Sequence, residues 1–177
     1  MRFLVLTHNY PTHWNPSAGI FVQDMNEVLE RAGHKVVIGV LSLSKFKLVL
    51  ICRMLSLVFR GFCWSGRFDK IIAHWWIPGG LIGYVLARVT GKPLILHIHG
   101  TDAMLIGKSK VTIWLWNVVS RRAESICFVS RFLRDRCLSY SRPSLWEKLT
   151  GALSSTPRFH VLPMPVNGAI FNPKPLE

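Results

Sequence analysis

The chain has 177 residues, half of them hydrophobic and only 18% charged, which excludes a disordered protein and suits one domain with a substantial core. Twenty-two Lys and Arg against nine Asp and Glu give a formal charge of +13, so an anionic partner is expected: nucleic acid, anionic lipid or a phosphorylated small molecule. The four cysteines, Cys52, Cys63, Cys127 and Cys137, form no CxxC pair, which argues against a zinc knuckle or a secreted disulfide scaffold and for a reducing compartment.

Phe3 to Leu6 predicts a strand almost at the first residue, followed by the polar loop "THNYPTHWNPSAG". The apolar run is too short for a signal-peptide core and no A-x-A site follows it, so a cytoplasmic location is expected. From Ile20 the apolar residues Phe21, Val22, Met25, Val28, Leu29 and Ala32 share one helical face, and Gly33 supplies the stop. "HKVVIGVL", "DKIIAHWW", "KPLILHIH", "ESICFVS" and "RFHVLP" then read as further buried strands. Helices are predicted between them at Gly80–Thr90, Lys110–Ala123, Arg131–Tyr140 and Ser144–Leu153.

Short Val/Ile/Leu runs alternating with helices give the class α/β: a Rossmann-like, doubly wound, mainly parallel sheet of about six or seven strands with helices on both faces. Residues 1–162 are expected to form the single domain. Residues 163–177, which carry four prolines, read as an exit segment.

"FKLVLICRMLSLVFRGFCW", Phe46 to Trp64, carries more apolar surface than a crossover helix needs. Leu48, Ile51, Cys52, Leu55, Val58, Phe59 and Phe62 share one face, Arg53 and Arg60 another, and Leu50, Met54 and Leu57 add apolar surface behind. Arg53 and Arg60 interrupt the run, which leaves it too short to span a bilayer. Two readings stay open: core packing, or contact of Leu55, Phe59, Arg53 and Arg60 with an acceptor or an anionic membrane surface.

In such a sheet all strands point their carboxyl ends at one edge, and ligands bind in the crevice outside it. The residues predicted there are Thr7, His8 and Asn9; His74, Trp75 and Trp76; His97, His99, Gly100, Thr101 and Asp102; and Ser130. His97 and His99 alternate with Leu96 and Ile98 and so face the same side; His97 is read as a core histidine, His99 as a site residue. His97-x-His99 is the sole chelating spacing, and with no HExxH no metal is expected. "NPSAGIF" puts Ala18 and Gly19 before the first helix, where backbone N–H groups can approach an anion; "IPGGLIGY" repeats the device. Neither matches GxGxxG or a P-loop.

"MRFLVLTHNYP", "SAGIFVQDMNEVLERAGHKVVI", "FDKIIAHWWIPGG", "KPLILHIHGTD", "AESICFVS" and "FHVLPMPVNGAIFNP", in this order and spacing, resemble the N-terminal, acceptor-side domain of a family 4, GT-B fold glycosyltransferase. The resemblance implies retaining transfer of a hexose from a nucleotide sugar to a hydroxyl of a lipid-linked or other saccharide acceptor, with no cofactor beyond the donor as co-substrate. It makes His99 and Asp102 catalytic, assigns Gly19 to the donor diphosphate loop and Ser130 to the cleft floor, and groups His8, Asn9, His74, Gly100 and Thr101 around the substrate. Asn167 stands where the family usually has Asp. The resemblance also implies a second, donor-binding domain with an E-x7-E pair, without which transfer should not occur.

The competing reading is a non-catalytic basic module for nucleic acid or an anionic membrane. Trp75, Trp76, Trp114 and Trp116 fall in predicted strand or helix rather than in a basic stripe, so no nucleic acid is expected.

Overall fold

The computed structural model describes residues 1–141 and 158–163. Six strands form one sheet: β1 (Arg2–Thr7), β2 (Lys35–Val40), β3 (Lys70–His74), β4 (Leu94–Ile98), β5 (Ala123–Phe128) and β6 (Arg158–Val161), in the order β2-β1-β3-β4-β5-β6. All five pairings are parallel. The helices are α1 (Ile20–Arg31), α2 (Lys47–Cys63), α3 (Leu81–Thr90), α4 (Lys110–Arg122) and α5 (Arg131–Ser139). The Rossmann-like α/β class is therefore present, with six strands among the described residues. The predicted helix at Ser144–Leu153 and the exit segment from residue 164 onward lie outside the described residues.

The chain leaves β1 toward β2 on one side and then returns to place β3 on the other. That reversal fixes the layers. Phe3, Val5 and Ile72 pack beneath Val22 of α1 on one face, while Leu4, Leu6, Ile71, Leu94 and Leu96 meet α2, α3, α4 and α5 on the other. Right-handed crossovers require this split, because connections running in opposite directions along the sheet must cross opposite faces.

The inner face of α1 differs from the wheel reading. Val22 and Asn26 are buried and Met25 and Leu29 partly so, whereas Val28 and Ala32 are exposed. The helix turns on the 22–25–26–29 stripe, and Val28 sits well away from it. Gly33, at φ 81°, stops the helix as predicted: its N–H bonds the Glu30 carbonyl and His34 N–H bonds that of Leu29.

The larger correction concerns α2. Leu57 and Gly61 are buried, with Leu50, Met54, Val58 and Trp64 packed against the core. The face read as the main apolar stripe is turned outward: Leu48 is 73% exposed, Leu55 62% and Phe59 68%. Two notches explain the choice. A Cβ on Gly39 of β2 would lie 3.0 Å from Leu6 and 3.1 Å from Leu57, and one on Gly61 would lie 2.7 Å from Leu86 of α3. Glycine at both places lets α2 seat on that side and no other.

Trp76 and Trp116 are fully buried and meet edge to face at 5.9 Å, and Trp75 is buried as well. Trp76 and Trp116 therefore belong to the interior, whereas Trp114 of α4 is exposed.

Candidate functional site

The carboxyl ends of β1 and β3 flank the point where the chain reverses direction, and the polar residues of the strand tips collect there. This is where an open α/β sheet forms its crevice. His74 ends β3 opposite His97 of β4, its register partner. Its Nδ1 lies 2.9 Å from Nε2 of His99, and the two rings stack at 20°. His97 sits one ring further in, 5.1 Å from His74.

Trp75 closes the cluster. It is the sole non-glycine with positive φ among the described residues, at 61°, a conformation that costs an L-residue roughly 1–3 kcal/mol and persists when its surroundings demand it. Its N–H donates to the His97 carbonyl at 2.8 Å, and its ring lies 4.5 Å from His99, 4.4 Å from His8 and 5.6 Å from Phe21. Phe21, in the first turn of α1, is itself 4.8 Å from His99. The start of α1 and the tip of β4 therefore share one crevice. Trp75 is expected from the sequence at this edge among the strand tips, whereas Phe21 reads as core and its place at the crevice is missed.

Gly19 stands at the head of α1 with φ 59°, and a Cβ there would fall 2.1 Å from the Asn9 carbonyl oxygen. The loop after β1 thus folds back onto the helix start, and only glycine fits. Thr7 holds the other side of that loop, its Oγ1 donating to the Asn9 carbonyl at 2.9 Å and accepting from Asn9 N–H at 3.1 Å. No side chain caps α1; Val22 and Gln23 N–H donate to the Gly19 carbonyl at 2.9 and 3.4 Å, which leaves the N–H groups of Ile20 and Phe21 at the positive end of the helix dipole. Gly79 and Gly80 have a packing reason: Cβ atoms there would meet the His74 carbonyl at 2.4 Å and Leu96 at 3.1 Å.

Asp102 faces inward. Its Oδ1 accepts from the N–H groups of His99 at 3.1 Å and Gly100 at 3.0 Å, and its Oδ2 from that of Trp76 at 3.0 Å. Its own carbonyl accepts from Trp76 Nε1 at 2.6 Å. The buried carboxylate thereby ties the β4 turn to the β3 turn and sets the backbone that carries His99. Burial pushes its carboxyl above the ordinary range, against backbone donors that pull the other way. Both oxygens are occupied, so Asp102 acts by position. Gly100, at φ 133°, opens the same turn beside Leu133 of α5, and Thr101 is exposed. Ser130 caps α5, accepting from Leu133 N–H at 3.3 Å. Leu55, Phe59, Arg53 and Arg60 are not in this crevice; they lie on the outer side of α2.

Burial governs the charges. It pushes His99 down to about 3 and His97 to about 4, and lowers His74 and His8, so the cluster is neutral at pH 7. Neutrality fixes tautomers. If His99 donated to His74, the His74 proton would sit on Nε2, which is buried without a partner among the described residues. The favoured arrangement has His74 Nδ1–H donating to His99 Nε2, leaving the His99 proton on Nδ1. His99 then offers an N–H donor and is too weakly basic to take up protons at neutral pH. Among the described residues no group of three or more His, Cys, Asp or Glu side chains is arranged to hold a metal ion; the imidazoles stack rather than converge.

A Rossmann-like sheet with its polar strand tips gathered at the switch point has the crevice geometry of open α/β proteins. Residues 18–145 match the model of Glycosyltransferase Family 4, and the chain belongs to that family as an N-terminal domain of the GT-B fold. It is similar to the uncharacterized glycosyltransferase MJ1178 of Methanocaldococcus jannaschii, 26% identical over 72 residues, which is 41% of this chain and 20% of that protein. Its fold is shared with Anabaena Alr3699/HepE in complex with UDP and glucose, at TM-score 0.63 and 14% identity, and in complex with UDP-glucose, at TM-score 0.64. Those matches cover 99% of this chain and 47% of the Anabaena protein, so the chain spans about half of that length.

Proposed function

We propose that this chain is the acceptor-side half of a retaining hexosyltransferase that moves a sugar from a nucleotide-sugar donor to a hydroxyl of a lipid-linked or other saccharide. Residues 1–162 would form that half, with the exit segment leading to a donor-binding half. The observation that carries the reading is the juxtaposition of His99 with the first turn of α1 in a family 4 domain. The complexes of the Anabaena protein favour a uridine diphosphate sugar as donor.

The chemistry this half would supply is electrostatic. As the sugar–phosphate bond breaks, negative charge grows on the departing diphosphate, and the uncapped N–H groups at Ile20 and Phe21 stabilise it without reorganising. His99 Nδ1–H donates to a sugar hydroxyl or a phosphate oxygen. Trp75, Phe21 and His8 exclude water from that contact.

The test is UDP release from UDP-glucose by the intact gene product with saccharide acceptors. His99→Ala should lower kcat by about a hundredfold, the usual cost of one preorganised donor, measured well below the variant's own lowered melting temperature so that lost packing is not read as lost catalysis. Full turnover by that variant would refute the assignment, and turnover by the 177-residue chain alone would refute the division into halves.

A further inference from the structure

The outer face of α2 has no role in the crevice. Phe46, Leu48, Ile51, Leu55, Phe59 and Phe62 are each more than half exposed and form one continuous ridge opposite the packed Leu50–Met54–Leu57–Gly61 side. Monomeric surfaces scatter single apolar residues; a full-length ridge marks an interaction site. Its borders are cationic. Exposed Lys45, Lys47, Arg53, Arg60 and Arg67 are its only charged neighbours in sequence, and no Asp or Glu occurs between Glu30 and Asp69. Arg53 Nη1 donates to the carbonyls of Ser42 and Leu43 at 3.0 and 3.1 Å, and the Arg60 guanidinium lies 4.8 Å over the Trp64 ring. Both side chains are exposed at the rim.

We propose that this ridge docks on an anionic lipid bilayer, with α2 lying in the plane of the headgroups. Charge selects this occupant. A second copy would bring the same cations against themselves, whereas anionic headgroups complement the rim while acyl chains take the ridge. Shape agrees, because a protruding helix needs no preformed hollow in a fluid bilayer. The helix does not cross it: no helix of the described residues is long and apolar enough to span a membrane. β2 ends at the carboxyl edge of the sheet, so α2 starts there, and docking would hold the crevice against the leaflet. That last consequence rests on the transferase reading; docking itself does not.

The experiment is co-sedimentation of the chain with phosphatidylglycerol-rich vesicles and with pure phosphatidylcholine vesicles, read without turnover so that its failure stays separate from failure of the transferase reading. Binding is expected to the first and not the second. Leu55→Asn with Phe59→Asn, which leaves the charge unchanged, should reduce partitioning at least about tenfold with an unaltered melting temperature. Arg53→Gln with Arg60→Gln should weaken it less and flatten its salt dependence. Several results would overturn docking: no anionic binding, equal binding by the Asn variant, a dimer abolished by that variant, or failure of the longer gene product to bind where this chain does.

Discussion

The two edges of the sheet solve the same problem in opposite ways. At the amino edge, charges are present and paired: Arg2 with Asp69 at 2.6 Å, Lys70 with Glu124 at 2.9 Å, and Lys92 Nζ on the Phe68 carbonyl. At the carboxyl edge the imidazoles stay neutral, packed ring on ring, and His8 Nδ1 and His74 Nε2 are buried without partners among the described residues. Solvated ion pairs tolerate change, since water replaces a lost partner. A buried neutral cluster does not, and its unsatisfied atoms mark where hydrogen bonding has been held in reserve.

The largest expected break in this contrast is Asp102→Ala, which strips an acceptor from three backbone N–H groups. It should cost on the order of 3 kcal/mol or more in denaturant unfolding. Gly19→Ala follows, at on the order of 2 kcal/mol, because the left-handed backbone and the Asn9 carbonyl both oppose a Cβ; an unshifted melt would mean the β1–α1 loop is not closed as described.

Acid separates the edges directly. The folded histidines sit below their ordinary 6.5, so the unfolded chain takes up protons first as pH falls. Their stabilisation is fully present above that value and is lost on the way down, toward about 4 for His97 and about 3 for His99. For His97 alone the loss between about pH 7 and about pH 5 should be about 2 kcal/mol, measurable by urea unfolding at each pH. Asp69, held down to about 2 chiefly by its hydrogen bonds to Arg2, loses its contribution only between 3.8 and that value. Asp69→Asn should accordingly give the smallest fall in Tm of the set at neutral pH, and salt should erase most of it.

Much of this was legible in order of residues. Alternating apolar runs and helical stripes gave the six strands and five helices to within a few positions, and parallel strands necessarily gather His8, His74, His99 and Ser130 at one edge. Gly33 was readable because a helix end demands a left-handed residue. Gly19 was singled out as a loop glycine, although the reason for it, the Asn9 carbonyl, was not visible.

What composition and period could not yield were choices between neighbours distant in sequence. His74 and His99 are 25 residues apart, and only the β3–β4 register brings their nitrogens within 2.9 Å. The left-handed Trp75 follows from the packing of two turns around Asp102, not from any preference of tryptophan. The clearest case is α2. Its wheel offers two apolar sides, the Leu48–Leu55–Phe59 stripe and the Leu50–Met54–Leu57 surface behind it, so the decision fell to two missing side chains, Gly39 on the sheet and Gly61 on the helix, which leave room for close approach in one orientation alone.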